Sequence, residues 1–314
     1  MALGLKIEEE FTHRSARVKS LDVHPSEPWI LASLHSGNIF IWNHQSRIVE
    51  KTLEVTDHPV RSARFVASKR WLVMGADSGL IHVYNYETTD KVKELEGHLD
   101  FIRSLAVHPT LPYVLSASDD SLIKLWDWEK GWACSKVFEG HSHYVMQVAF
   151  HPKNHDLFAS ASLDGTVKLW ALGSSTPTAT LDGHSKGVNC VDYFLDSNKP
   201  YLISGSDDCT VKVWDYETKN CALTLEGHTN NVTAVCVHPE LPIILTGSED
   251  TNICIWNATT CKLESTLNYG LGRVWTLAYL KDSHRLLAGH DEGTVLLKVT
   301  NSSVTGPESC TDRR

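Results

Sequence analysis

The residues of this chain that could do chemistry fall at recurring positions rather than in one local motif. Lys19, Arg61 and Arg103 occupy the same place in three successive copies of a pattern, and the later copies hold Met146, Asn189, Thr233 and Trp275 there. Two residues earlier in the pattern, Arg17 and Arg273 add further cations. A second recurring position reads His35, Asp77, Asp119, Leu163, Asp207, Glu249 and Asp291, with Asp100 close to the group. Cations concentrated in three adjacent copies, beside a run of carboxylates, make a dipolar site. Such a site fits a ligand that is anionic at one end and cationic a few ångströms away. Charge-assisted hydrogen bonds contribute about 1.5–3 kcal/mol each. Two or three of them, less the cost of ordering a flexible ligand, correspond to roughly micromolar binding. The same residues also fit a solvated ion network that pairs with itself along a wet channel.

Other chemistries find little support. The sequence has no Walker loop, no G-x-S-x-G, no H-E-x-x-H and no glycine-rich dinucleotide turn, so neither an enzyme nor a cofactor is expected. Eight cysteines are scattered without a C-x-x-C pair, which predicts free thiols in a reducing compartment rather than zinc or a disulfide framework. A net charge of −9 disfavours broad binding to nucleic acid. No apolar run of 18 residues occurs, and the opening MALGLKIEEEF has too short an apolar stretch for a secretory signal. The expected location is cytoplasmic.

Elements that could hold these residues come from an internal repeat. VKSLDVHPSEPWILASLHSGNIFIWN, IRSLAVHPTLPYVLSASDDSLIKLWD and VTAVCVHPELPIILTGSEDTNICIWN are copies of one unit. Units start at Val18, Val60, Ile102, Val145, Val188, Val232 and Val274, spaced by 42, 42, 43, 43, 44 and 42 residues. That period, with Gly-His at one end and Trp-Asp at the other, is similar to the blade of a WD40 β-propeller. The expected fold is all-β: one seven-bladed propeller over 1–300, four strands per blade, with a polar tail over 301–314 that reads as disordered. The last unit has no outer strand, and LKIEEEF before the first unit can supply it and close the ring. Antiparallel strands place the start of each inner strand beside the end of the second. The two recurring positions therefore open on one face, around the central channel.

The same repeat accounts for many histidines without invoking metal. Four units carry a set at fixed offsets: His98, Ser118, Asp120 and Trp126; His141, Ser162, Asp164 and Trp170; His184, Ser206, Asp208 and Trp214; His228, Ser248, Asp250 and Trp256. In WD40 blades such a set is expected to form a hydrogen-bonded chain that satisfies buried polar atoms. His24, His108, His151 and His238 precede prolines and are expected in turns. Units 1, 2 and 7 lack the full set.

RSARVKSLDVHPSEPWILASL, PVRSARFVASKRWLVMGADSG, DFIRSLAVHPTLPYVLSASDDSLIKLWDW, GHSHYVMQVAFHPK and NKPYLISGSDD resemble, beyond generic WD40 signatures, the N-terminal propeller of coatomer β′ subunits. The resemblance runs through residues 1 to about 299. It implies a non-enzymatic adaptor for C-terminal dilysine signals on membrane cargo, peripheral on Golgi membranes and acting in Golgi-to-endoplasmic-reticulum transport with other coat subunits. It implies that Arg17, Lys19 and Arg61, with His35 beside them, hold the terminal carboxylate. Asp100 and Asp119, assisted by Asp207, would hold a signal lysine, with Asp77, Arg103, Glu249, Asp291 and Arg273 as further rim residues. His35 stands where that family usually carries tyrosine. A general protein-interaction scaffold working through other faces is the alternative.

Overall fold

The computed structural model describes residues 5–196, 199–238, 240–280 and 283–301. They form seven four-stranded antiparallel sheets arranged as the blades of a propeller. Blades 1 to 7 begin with the inner strands Val18–Val23, Val60–Val66, Ile102–Val107, Val145–Phe150, Val188–Asp196, Val232–Val237 and Val274–Leu280. The amphipathic pattern of each blade follows its place in the ring. Second strands such as Trp29–Leu34 and Ile243–Ser248 are buried along nearly their whole length, whereas outer strands such as Ile48–Glu54 and Lys91–Glu96 are mostly exposed. The apolar clusters lie between neighbouring blades. Leu31, Ile39 and Leu53 of blade 1, for example, pack on Val60, Leu72 and Met74 of blade 2.

The ring closes as expected. Strand Leu5–Arg14 pairs antiparallel with Gly293–Asn301 and becomes the outer strand of blade 7. A register shift between Glu9 and Phe11 leaves Glu10 out of the ladder, and its side chain reaches past the adjoining strand to the strand Arg285–His290. There its carboxylate receives Nε and Nη2 of Arg285 at 2.6 and 3.0 Å. An edge that would otherwise present unpaired backbone groups is thereby covered. Residues 302–314, most of the segment expected to be a disordered tail, lie outside the described residues.

In blades 3 to 6 the polar chain runs from tryptophan to hydroxyl to histidine to aspartate, but through different hydroxyls from those expected. Trp126 Nε1 donates to Ser116 Oγ at 2.8 Å, Ser116 Oγ lies 2.6 Å from His98 Nε2, and His98 Nδ1 lies 2.8 Å from Asp120 Oδ2. Ser160, Ser204 and Thr246 serve in the next three blades. Ser118, Ser162, Ser206 and Ser248 sit two residues further on, where they accept the backbone N–H of the turn aspartate and donate to a loop carbonyl. Residues two apart on a strand share a face, so the repeat alone does not distinguish the two hydroxyls. Blade 1 keeps the tryptophan without the chain, and Trp42 Nε1 has no partner among the described residues. The four His-Pro histidines are buried turn residues: the Nδ1 atoms of His24, His108, His151 and His238 accept N–H groups two and three residues ahead.

Candidate functional site: the mouth of the channel

Every inner strand carries a register shift immediately after its first residue, and the shifts define the site. They fall between Val18 and Ser20, Val60 and Ser62, Ile102 and Ser104, Val145 and Gln147, Val188 and Cys190, Val232 and Ala234, and Val274 and Thr276. The residue left out of the ladder is in turn Lys19, Arg61, Arg103, Met146, Asn189, Thr233 and Trp275. A bulged residue is released from the pleat and re-aimed, which is why cations can follow directly on buried valines. All seven line one cavity of about 490 Å³ at the channel mouth. The second recurring position is anchored the same way in each blade. The backbone N–H of His35, Asp77, Asp119, Leu163, Asp207, Glu249 and Asp291 donates to the carbonyl just before the strand, from His35 to Arg17 at 2.9 Å through Asp291 to Arg273 at 3.1 Å. Each blade thus presents three rim positions, and blade 5 fills one of them with Gly187.

Most of the rim charge is internally paired. Arg61 forms a two-pronged pair with Asp77, with Nη2 to Oδ2 at 2.7 Å. Arg103 does the same with Asp119 at 2.6 and 2.5 Å. Asp207 takes Asn189 Nδ2 at 2.7 Å, and Glu249 takes Asn231 Nδ2 at 3.3 Å. Asp291 gathers Arg17 Nε at 2.7 Å, Arg273 Nε at 3.0 Å and Trp275 Nε1 at 2.8 Å. Burial pushes the Asp291 carboxyl up, but the hydrogen bonds from Trp275 and Arg273 outweigh it and hold the group at about 2. The expectation of a self-paired ion network therefore describes much of the ring.

Blade 1 is different. No hydrogen bond or ion pair holds Lys19 Nζ among the described residues. Its contact is the face of Trp275, 4.0 Å from the ring centroid, with Arg17 and Arg273 over the same ring at 5.2 and 4.9 Å. Burial, then repulsion from Arg61, Arg17 and Arg103, lowers the Lys19 ammonium to about 7, against a smaller pull from Asp77. His35 is exposed, and its blade has no acid at the rim. Desolvation and the cations Arg17, Lys19 and Arg61 hold its imidazole below the ordinary histidine value. Blade 1 therefore offers one cation, Lys19, without an anionic partner among the described residues, beside an Arg17 paired to Asp291 of blade 7 and an imidazole of lowered basicity.

On the acidic side, the structure separates the three carboxylates expected to act together. Asp119 is 6% exposed and committed to Arg103. Asp100 lies on the loop before the inner strand of blade 3, half-buried, where its Oδ1 accepts the Phe101 N–H at 2.8 Å and no cation pairs with it among the described residues. Asp207 and Glu249 line the cavity itself. Asp100 and Asp207 thus have no cation paired with them among the described residues. Trp275 was visible in the sequence only as the one aromatic at the bulge position; its part as platform for Lys19 needed the ring to be closed. No group of three or more His, Cys, Asp or Glu side chains that could hold a metal occurs among the described residues.

Seven closed four-stranded blades around a charged channel mouth define a repeat scaffold of the β-propeller class. Residues 6–43, 89–127, 132–171, 175–215 and 219–257 match the family described as WD domain, G-beta repeat, and the chain belongs to that family. It is 70% identical over 299 residues, 95% of its length, to coatomer subunit beta′-2 of Oryza sativa subsp. japonica. Over the same share it is 65% identical to coatomer subunit beta′ of Homo sapiens and 61% identical to that of Drosophila melanogaster. The chain spans 33% of the length of each of these relatives. By name, these relatives are subunits of coatomer.

Proposed function

We propose that this mouth captures the C-terminal tails of membrane cargo that carry two lysines near a free carboxylate, as the cargo-reading propeller of a COPI-type coat. In this reading it works on the cytoplasmic side of Golgi membranes beside other coatomer subunits. The observation that carries it is Lys19: a cation on a bulge, without an anionic partner among the described residues, flanked by Arg17 and Arg61 and backed by Trp275. A terminal carboxylate supplies the anion that blade 1 lacks, while the lysine ammonium groups reach Asp100 and Asp207. His35 donates one N–H hydrogen bond at the carboxylate end but, as a neutral ring, adds no charge. The test is titration calorimetry with a short dilysine peptide bearing a free carboxylate. Asp100→Ala combined with Asp207→Ala should weaken binding on the order of 100-fold, since each contact to a charged group is worth about 1.5–3 kcal/mol. Unchanged affinity would remove the lysine sites.

Binding should also depend on pH in a defined direction. A carboxylate beside Lys19 favours its protonated form, so binding takes up a proton. Affinity therefore rises as pH falls from 8 to 6 and levels off once Lys19 is already charged, with a slope of at most about tenfold per pH unit near 7. Lys19→Arg, charged throughout, should flatten that profile. A wild-type profile that is flat over this range would show that Lys19 does not face the carboxylate.

A further inference from the structure

Six blades present a charged or polar set at the mouth, and one does not. In blade 4 the three rim positions are Tyr144, Met146 and Leu163, all lining the cavity. Blade 4 stands as far from blade 1 as a ring of seven allows. Tyr144 is 36% exposed, with the Arg103 guanidinium 5.8 Å from its ring centroid. Leu163 leans onto blade 5 over Gly187: a Cβ at Gly187 would meet Leu163 Cδ2 at 2.7 Å and Asp207 Oδ2 at 3.3 Å. Glycine there leaves room for the leucine side chain and sets it beside the Asp207 carboxylate. The apolar face thus lies between the Arg103–Asp119 pair on one side and Asp207 on the other. The buried core runs beneath it through Val145 and Val148, so these half-exposed side chains are surplus to closing the ring, and acids fill the Leu163 position in five other blades.

We infer that blade 4 is a specificity subsite that takes an aliphatic side chain of the bound tail, from a residue next to a signal lysine. The inference rests on the proposed binding of dilysine tails at this mouth. Charged contacts at blade 1 and at Asp207 hold the two ends of the ligand, and blade 4 selects among tails by what lies between. An acidic side chain there would lose water against Tyr144, Met146 and Leu163 and meet the Asp207 carboxylate, with Arg103 already engaged by Asp119, whereas leucine or methionine would bury apolar surface.

The test is a panel of free-acid peptides with two near-terminal lysines, each non-lysine position set in turn to Leu, Gly, Asp or Lys, titrated against the intact chain; one member is also made as the amide. At one position Leu should bind about tenfold tighter than Asp and several-fold tighter than Gly. Leu163→Asp should invert that preference, so that Lys at the same position binds tighter than Leu. The rim tolerates an acid at this place in other blades, and Leu163→Ser serves as a second variant that should abolish the preference without inverting it. Affinities within about twofold across the panel at every position would overturn the subsite. If the free acid still outbinds the amide in that case, the failure is confined to blade 4; if acid and amide also bind alike, the reading of the whole mouth has failed.

Discussion

Lys19→Glu should lower the affinity for a free-carboxylate dilysine peptide by more than about 100-fold, while leaving the thermal midpoint within a few degrees. The change does more than delete a cation. It places a carboxylate among Arg17, Arg61 and Arg103, the groups whose repulsion now depresses the lysine, and these would capture the internal acid and close the clamp to a ligand. Removing one charge-assisted contact costs about 1.5–3 kcal/mol, and adding a repulsive charge of like sign to the ligand costs about as much again. Lys19→Met separates the two effects and should lose only about tenfold. The fold is spared because Lys19 stands on a bulge outside the ladder pairing and has no hydrogen bond or ion pair to lose among the described residues. Calorimetry on the three proteins with one peptide gives the answer directly. A Lys19→Glu protein that binds within about threefold of the parent would mean that the carboxylate lies elsewhere.

The second large effect is on stability. Asp208→Ala should destabilise the propeller by about 3 kcal/mol, a cost set by the groups it leaves buried and unpaired. Asp208 receives His184 Nδ1 at 2.8 Å, the Ser185 N–H at 3.0 Å, and both the N–H and the hydroxyl of Thr210 at 2.9 and 2.6 Å. Burial alone would raise its carboxyl, yet the bonds from Thr210 and His184 carry it down to about 2. A carboxylate with a depressed folded-state value contributes stability that is full above about pH 4 and fades as pH falls toward 2. The difference in unfolding free energy between Asp208→Ala and the parent should therefore shrink in acid. Urea denaturation at pH 7 and at pH 3 measures both quantities. A difference below about 1 kcal/mol at pH 7 would show that the chain is dispensable to blade 5.

How much of this could be read from the amino-acid order is decided by what repeats and what does not. The blades, their number and the closing strand were legible, because a period of 42 to 44 residues and the uncapped final unit require them. So were the positions of the rim residues, since antiparallel pairing puts the start of one strand beside the end of the next. The bulges that aim Lys19, Arg61 and Arg103 were not legible, because a register shift leaves no mark in a pattern of alternating valines. Nor does the sequence separate Ser118 from Ser116: both hydroxyls face one side of the strand, and only the position of the Trp126 ring decides between them. The pairing state of the charges was also hidden. Asp119 and Asp100 were expected to act together, yet Arg103 saturates one and no cation pairs with the other among the described residues. Trp275 and Leu163 owe their roles to neighbours across blade boundaries, which no single repeat contains.

The central claim is that blade 1 completes itself with a peptide's terminal carboxylate, and one pair of titrations tests it most directly. A dilysine peptide is made with a free C-terminus and as the C-terminal amide, identical otherwise, and each is titrated into this chain at pH 6.5, where Lys19 is largely protonated. The free acid should bind roughly 100-fold tighter than the amide, the worth of two charge-assisted contacts from Lys19 and its flanking arginines less the water they displace. In the Lys19→Met protein the ratio should fall to about tenfold. Equal affinity for acid and amide would contradict the account.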